Sequence, residues 1–365
     1  MKGRILALML GLTVLLTGCG RVLPYAREMG DMALMRVMGV DGEEDGLSVT
    51  VSTGKRASGL QNEEEGALIL SLQGQSLSTV CQAMQGASES YVFYGYVDQL
   101  LLGEEMARQG VYPVLDYFSR DTQLGLGAQL WLVRGDRAES AVRSGGEEGI
   151  DARLSTLQTD SRMGTAGVTR TAGEVFTDLL ERGSAYVPVL EVTSDDQGET
   201  ALMEGGYGVL KDGVLAGFLT GEQAKGLELL ESRAAGDLLE VTLPSGLVVV
   251  RVNWSGLTVE PETEGDGLTG ARLTCLLAAE LVEFSQELTG EEQEQVRTAL
   301  EDRERRRLQQ ALAALQGWGT DCVNLGGRIA VSEPGRWSRA EADWPEVFSQ
   351  LELQVEVQGN LTYFS

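Results

Sequence analysis

Histidine is absent from this sequence of 365 residues. Its absence excludes Ser-His and Cys-His nucleophilic catalysis, and it removes the commonest side-chain ligand of zinc, copper and non-haem iron. Chemistry based on carboxylates alone stays open, because two acids about 5 to 9.5 Å apart in a cleft can hydrolyse a glycosidic bond. With that exception we expect no catalytic residue, no metal centre and no cofactor.

Cysteine is scarce as well, at four residues. Cys81, Cys275 and Cys322, which follow Cys19, are widely spaced and form no CxxC pair of the kind that holds metals. An odd count at such spacing is no disulfide framework, and we expect all three to be small buried side chains. One disulfide among them stays open in an exported protein.

Phosphate-binding and calcium-binding loops are missing too. The run Gly205-Gly206-Tyr207-Gly208 lacks the lysine and the following helix of a P-loop, and it indicates a tight turn. Acidic pairs such as Asp195-Asp196 do not have the spacing of a calcium loop. These motifs therefore predict no ligand site.

Positive charge is in short supply. The chain has 29 basic residues against 55 acidic ones, a formal net charge of −26. Such a charge opposes binding to nucleic acid and to anionic lipid headgroups. We expect no nucleic-acid partner, and any membrane attachment must come from something other than a basic surface.

The N-terminus has the pattern of an export signal. Lys2 and Arg4 precede an apolar stretch from Ile5 to Leu16, which is shorter than the about 20 residues of a membrane-spanning helix. Leu16-Thr17-Gly18-Cys19 resembles the bacterial lipobox. We therefore predict a signal peptide at residues 1–18 and a lipoprotein anchored on the outer face of a membrane by a diacylglyceryl group, with palmitate-type acyl chains, on Cys19.

Alternating patterns predict several strands and hairpins along the chain. They include two strands around Asp41 to Gly46, hairpins at Lys211-Asp212-Gly213 and Pro244-Ser245-Gly246, and a closing strand at Leu351 to Val357. The stretches Lys55 to Gly66 and Ser144 to Gly173 are predicted to be loops. A polar stretch at Thr193 to Glu199 predicts a boundary between N-terminal domains at 19–196 and a C-terminal domain at 197–365.

Two helices in the second half have recognisable starts. Thr220 is expected to cap a helix over Glu222 to Glu231, and Thr289 with Glu292 matches a capping box that opens a helix to Leu315. In the long helix we expect pairs of Glu301 with Arg305 and of Asp302 with Arg306. The arginine run from position 303 to position 307 is interpreted as a solvated, salt-bridged helix face.

Several stretches, in order behind the lipobox, resemble the Ger(x)C lipoprotein family, the C subunits of bacterial spore germinant receptors. They are Arg27-Glu28 with Met32 to Asp41, Leu100 to Gly110 with Leu115-Asp116 and Arg120-Asp121, Gly206 to Gly217, Gly221 to Leu230, Asp321, and Trp344 to Val357. The resemblance extends over nearly all of the chain that follows Cys19.

The resemblance implies a non-enzymatic subunit on the outer face of the spore inner membrane. It would act with two integral membrane subunits, of A and B type, in the response to small nutrients. It also implies several α/β domains with mixed sheets, in agreement with the strand and helix patterns. We expect an α+β protein of two to three α/β-type domains with mixed or antiparallel sheets flanked by helices.

Two other functions stay open. A solute-binding lipoprotein of a transporter would share the anchor, although such proteins usually have two similar lobes, which this chain does not suggest. An exported hydrolase would need the carboxylate pair described above.

Overall fold

The computed structural model describes residues 32–58, 63–164, 166–194, 200–234, 236–265, 267–284 and 286–362. The expected signal peptide at 1–18 and the expected lipidation residue Cys19 lie outside these ranges. Helices and strands alternate through the described chain, and they form mixed and antiparallel sheets. The expected α+β class is confirmed.

The first part of the chain, which we call the large-sheet unit, runs to position 219. In chain order its elements are β1 (Met32–Leu34), β2 (Val37–Glu43), β3 (Gly46–Ser52), β4 (Arg56–Ser58), β5 (Glu63–Glu65), β6 (Ile69–Gly74), α1 (Leu77–Ala87), β7 (Tyr91–Phe93), β8 (Gln99–Gly103), α2 (Glu104–Gln109), α3 (Tyr112–Arg120), β9 (Gln129–Arg134), α4 (Ala138–Arg143), α5 (Asp151–Met163), β10 (Arg170–Thr171), α6 (Ala172–Arg182), β11 (Ser184–Ser194), β12 (Thr200–Lys211) and β13 (Val214–Leu219).

A mixed sheet, the large sheet, organises this unit in the order β13-β12-β11-β9-β8-β2-β3-β6, with β10 paired to β9. The pairs β2–β8, β8–β9 and β9–β11 are parallel. Strand β8 is buried at every position, as expected of a parallel strand with helices on both faces. Helices α1, α2, α3 and α6 pack on one face, and α4 and α5 pack on the other.

The rest of the chain, which we call the small-sheet unit, contains an antiparallel meander closed by a parallel strand. Its sheet has the order β14-β15-β16-β17. The elements are α7 (Glu222–Leu230), β14 (Leu238–Leu243), β15 (Gly246–Glu264), β16 (Gly267–Phe284), α8 (Gly290–Trp318), α9 (Leu325–Ser332), α10 (Pro334–Ala340), α11 (Trp344–Gln350) and β17 (Glu352–Thr362).

Helix α8 supplies much of the core beneath the small sheet. Val296, Leu300, Leu308, Leu312 and Leu315 are buried against the sheet and α7. The predicted capping box is present, since Thr289 Oγ1 accepts from the Glu292 amide and the Glu292 carboxylate accepts from the Thr289 amide. The predicted start of this helix is therefore confirmed.

Both predicted ion pairs on α8 are wrong. Asp302 pairs with Arg305, three residues on, at 2.5 Å. The Glu301 carboxylate accepts the Gly359 amide of β17 at 2.9 Å, because this edge of the helix faces the strand. Since Arg307 is also buried, the interpretation of the arginine run as a solvated face is wrong at that position.

Two predicted loops contain regular structure. The stretch Ser144 to Gly173 contains α5, where Leu154 and Leu157, one turn apart, are buried against the large sheet. The stretch Lys55 to Gly66 contains the paired strands β4 and β5. A helix such as α5 is hard to predict from a stretch with few apolar residues, because two buried leucines are enough to hold a short helix against a sheet.

The start of α7 also differs from its prediction. Gly221, at a φ of 51°, is the cap residue, and no side chain caps the helix. Glycine reaches this backbone conformation at little cost. The expected cap by Thr220 is wrong.

The strands on either side of the expected domain boundary are paired. β11 and β12 run antiparallel from the Ser184–Lys211 pair to the Ser194–Thr200 pair. The expected boundary, between positions 196 and 197, lies in the undescribed connection between them. The division into 19–196 and 197–365 stays an interpretation, and it separates two neighbouring strands of one sheet.

Candidate functional site at the junction of the two units

A crevice of about 340 Å³ lies where the two units meet, and we call it the junction crevice. The large-sheet unit contributes the end of α6 and the β12–β13 turn, including Arg182 and Lys211. The small-sheet unit contributes the end of α8 and the helices that follow, including Asp321, Trp337 and Trp344. The crevice therefore combines charged side chains from both units with aromatic side chains from the small-sheet unit.

The β12–β13 hairpin holds the end of α8 in place. Lys211 Nζ donates to the Trp318 carbonyl oxygen at 2.9 Å. The Trp318 ring covers Gly217 so closely that a Cβ at this position would overlap the ring. Glycine at position 217, within one of the motif stretches, is thus required by contact between the units.

Asp321 organises the opposite wall. It is buried, and its carboxylate accepts from the amides of Leu325 at 2.8 Å and Gly326 at 2.7 Å and from Trp344 Nε1 at 2.9 Å. Burial raises the pKa of Asp321 above its ordinary value, and these hydrogen bonds oppose that rise. One side chain therefore fixes both the start of α9 and the first residue of α11.

The aromatic pair on this wall is packed edge to face. The ring centroids of Trp337 and Trp344 are 4.9 Å apart. A Cβ at Gly326 would overlap the Trp337 ring, so the close approach of α9 depends on this glycine. The crevice can thus present a rigid aromatic surface beside the cations Arg182 and Lys211.

The three cysteines within the described ranges offer no reactive thiol. Cys81, Cys275 and Cys322 are all buried and free of disulfide bonds, which confirms the prediction of small buried side chains and settles the open disulfide. Burial raises the pKa of Cys81 to about 11, that of Cys275 to about 12, and that of Cys322 well above its ordinary value. Such thiols stay protonated and are poor nucleophiles.

A second cavity, of about 410 Å³, is lined by several carboxylates, among them Glu204 and Glu228. Tyr207 Oη donates to Glu228 at 3.0 Å and accepts the Val168 amide at 2.7 Å. Glu204 accepts the Gly167 amide at 3.0 Å, and burial raises its pKa. Because these bonds tie the segment before β10 to β12 and α7, we interpret both acids as structural supports.

Three residues of the motif stretches meet at the start of α4. Asp41 on β2 accepts the Ala138 amide at 2.7 Å and the Glu139 amide at 3.0 Å, and so caps the helix. A Cβ at Gly103 would overlap Asp41 Oδ1, and Gly39 lies against Ala138. The spacing of these three residues in the sequence does not predict this contact. In the structure, the three positions pack together at the start of α4.

The described ranges show neither a metal-binding cluster nor a helix that could cross a membrane. They contain no group of three or more Cys, Asp or Glu side chains placed to hold a metal ion. No helix in this part of the chain has both the length and the hydropathy for a bilayer crossing. The single site residue predicted from the sequence, Cys19, is not among the described residues.

Family models match both parts of the chain. The spore germination protein N-terminal domain matches residues 25–192, and the spore germination B3/GerAC-like C-terminal domain matches residues 205–365. Spore germination protein B3 of Bacillus subtilis (strain 168) is 20% identical over 298 residues, which cover 78% of this chain and 79% of that protein.

The fold is also that of a solved structure. The crystal structure of the GerBC protein matches with a TM-score of 0.60 and 18% sequence identity. The match covers 89% of this chain and 96% of that one. At 18% sequence identity, the match shows that the two proteins share the arrangement of their helices and strands.

Proposed function

This chain belongs to the Ger(x)C family of spore germination proteins, and from that membership we propose that it is a lipid-anchored, non-enzymatic subunit of a spore germinant receptor. It acts with integral membrane subunits of A and B type in nutrient-triggered germination, on the outer face of the spore inner membrane. The observation that carries the proposal is the match of both family domains, in order, to residues 25–192 and 205–365.

The anchor in this proposal is the lipid on Cys19. It is supported by the charged and apolar residues that precede Leu16-Thr17-Gly18-Cys19. A net charge of −26 argues against attachment through anionic headgroups. Two acyl chains are about what stable anchoring of a protein requires.

The non-enzymatic role is supported by the chemistry of the side chains. The sequence has no histidine, and the three described thiols are buried. The acids Glu204 and Glu228 are used in hydrogen bonds that hold backbone and side chains together. The junction instead offers a binding or contact surface between two units.

A pair of cysteine variants tests the anchor. Cys19→Ala is expected to remove the lipid and move the protein from the membrane fraction to the soluble fraction of the spore. Cys81→Ala is the matched control, since Cys81 is buried in the core and should have no effect on membrane fractionation. Retention of Cys19→Ala in washed membranes would show that the lipid is not the attachment.

Germination assays test the receptor role. A strain lacking the gene should form normal spores that no longer respond to at least one nutrient, and a wild-type copy should restore the response. Full-rate germination of the deletion strain with every nutrient would contradict the proposal. Restored germination with the Cys19→Ala copy would show that protein partners hold the subunit in place.

A further inference from the structure

A third cavity, of about 290 Å³, is lined by four arginines, and we call it the arginine cavity. Arg170 and Arg182 come from the large-sheet unit, and Arg233 and Arg328 come from the small-sheet unit. Arg182 and Asn324 also line the junction crevice, so the two cavities adjoin. Any molecule in the arginine cavity would contact both units.

The acids around this cavity do not balance its arginines. Asp178 is shared, because it pairs with Arg170 at 2.7 Å and also with Arg182. The Glu174 carboxylate is occupied at the start of α6, where it accepts the Thr171 amide at 2.7 Å. Glu231 is then the acid left for the remaining guanidinium groups. With four arginines and three acids, the lining carries a formal charge of +1 in a chain whose net charge is −26.

Two of the guanidinium groups are held in place before any ligand arrives. The Arg170 guanidinium lies 4.6 Å from the centroid of the Tyr186 ring, as well as against Asp178. Arg328 Nη2 donates to the Leu230 carbonyl oxygen at 3.1 Å. Groups held in this way lose little conformational freedom when they bind an anion.

Arg233 gives the cavity an accessible cation. It is exposed, whereas the Arg170 side chain is only 11% exposed. A ligand can therefore meet Arg233 at the surface and the ordered arginines further in. The cavity volume lies just below the range for ligand pockets, about 300 to 1,000 Å³, so the cavity would hold a small molecule.

We propose that the arginine cavity binds a small oxyanion, a carboxylate or a phosphate group, between the two units. The planar guanidinium group matches both groups through paired hydrogen bonds. The lining is polar apart from Val168, Cys322, Val323 and the Tyr186 ring, which suits a small charged molecule rather than an apolar one. The proposal does not depend on the receptor role, because binding is a property of the isolated protein.

Calorimetry on the full-length chain in detergent tests the proposal. Sodium phosphate and sodium malonate are the two probes, each titrated at constant ionic strength set with chloride. Saturable binding of either probe is expected, and the probe that binds identifies the oxyanion as phosphate or carboxylate. Failure of both probes to give saturable binding would overturn the proposal.

Matched variants locate the site. Arg233→Gln combined with Arg328→Gln is expected to raise the Kd at least about tenfold, since it removes two of the four cations. Arg120→Gln is the control, because Arg120 is 77% exposed and pairs with Asp116 in its own helix. Equal Kd values for all three proteins would show an adventitious site elsewhere and overturn the proposal, provided that thermal unfolding shows the variants folded.

Discussion

Replacement of Asp321 by asparagine should destabilise the small-sheet unit. The carboxylate accepts three hydrogen bonds, two at Oδ2 and one at Oδ1. An amide at this position keeps one acceptor oxygen and points its NH₂ group at a remaining N–H donor. Loss of a buried hydrogen bond to a charged acceptor costs about 1.5 to 3 kcal/mol, so we expect a loss of about 2 to 3 kcal/mol for Asp321→Asn.

Urea unfolding followed by tryptophan fluorescence measures this loss. Asp321→Ala, which removes all three hydrogen bonds, should lose about 4 to 5 kcal/mol. Asp302→Asn is the control, because Asp302 is 46% exposed and its pair with Arg305 should be worth under about 1 kcal/mol. If Asp321→Asn unfolds within about 0.5 kcal/mol of wild type, the carboxylate does not hold α9 and α11 together.

The pH dependence has a definite sign. Burial raises the pKa of Asp321 in the folded protein above its ordinary value of 3.8. The folded state therefore binds this proton more tightly than the unfolded state. Its contribution to stability is complete below the ordinary pKa and is lost as the pH rises through the folded pKa. The advantage of wild type over Asp321→Asn should therefore shrink as the pH rises above about 4; an advantage that widens would contradict the assigned shift.

Three further predictions concern packing. Gly103→Ala should displace Asp41 from the start of α4 and cost about 2 to 4 kcal/mol in urea unfolding, whereas Gly86→Ala in α1, with open space around it, should be neutral or stabilising. Arg307→Met should cost about 3 kcal/mol, because it removes the guanidinium that Glu304, Asp237 and Glu222 share and leaves the buried Glu304 with Arg303 as its partner; adding Glu304→Leu should recover part of the loss, and no recovery would contradict a desolvation penalty. Residues 197–365 expressed alone should aggregate, because β12 then lacks its partner strand β11. Co-expression with residues 19–196 should give a soluble complex in gel filtration. A stable monomer of 197–365 would show that β12 does not need β11.

Local signals in the sequence determine much of the fold. Turn residues at Lys211-Asp212-Gly213 and the capping box at Thr289 both act through neighbours within four residues, and both predictions are confirmed. The sequence pattern does not predict helix α5, because its buried residues are only Leu154 and Leu157. Their burial depends on the opposite face of the large sheet, which no local pattern reveals.

The candidate site depends on contacts that are distant in sequence. Lys211 meets Trp318, and Arg170 meets Tyr186 and Asp178, through the packing of separate elements. The motif resemblance pointed to Asp321 without indicating its role. The net charge of −26 does not predict the arginine cavity, because a net charge gives no information on where the basic residues lie in the fold.

Strand β11 connects the junction to the cores of both units, so binding at the junction can affect both. Its side chains alternate between two cores, with Val187 and Val189 in the core of the large-sheet unit and Tyr186 in the core that continues beneath the small sheet. The Tyr186 ring also lies under the Arg170 guanidinium of the arginine cavity. Interiors this closely packed resist gradual deformation. An oxyanion that draws the arginines of the two units together would therefore act on a strand shared by both cores, which is where a change in the relative position of the units would have to begin.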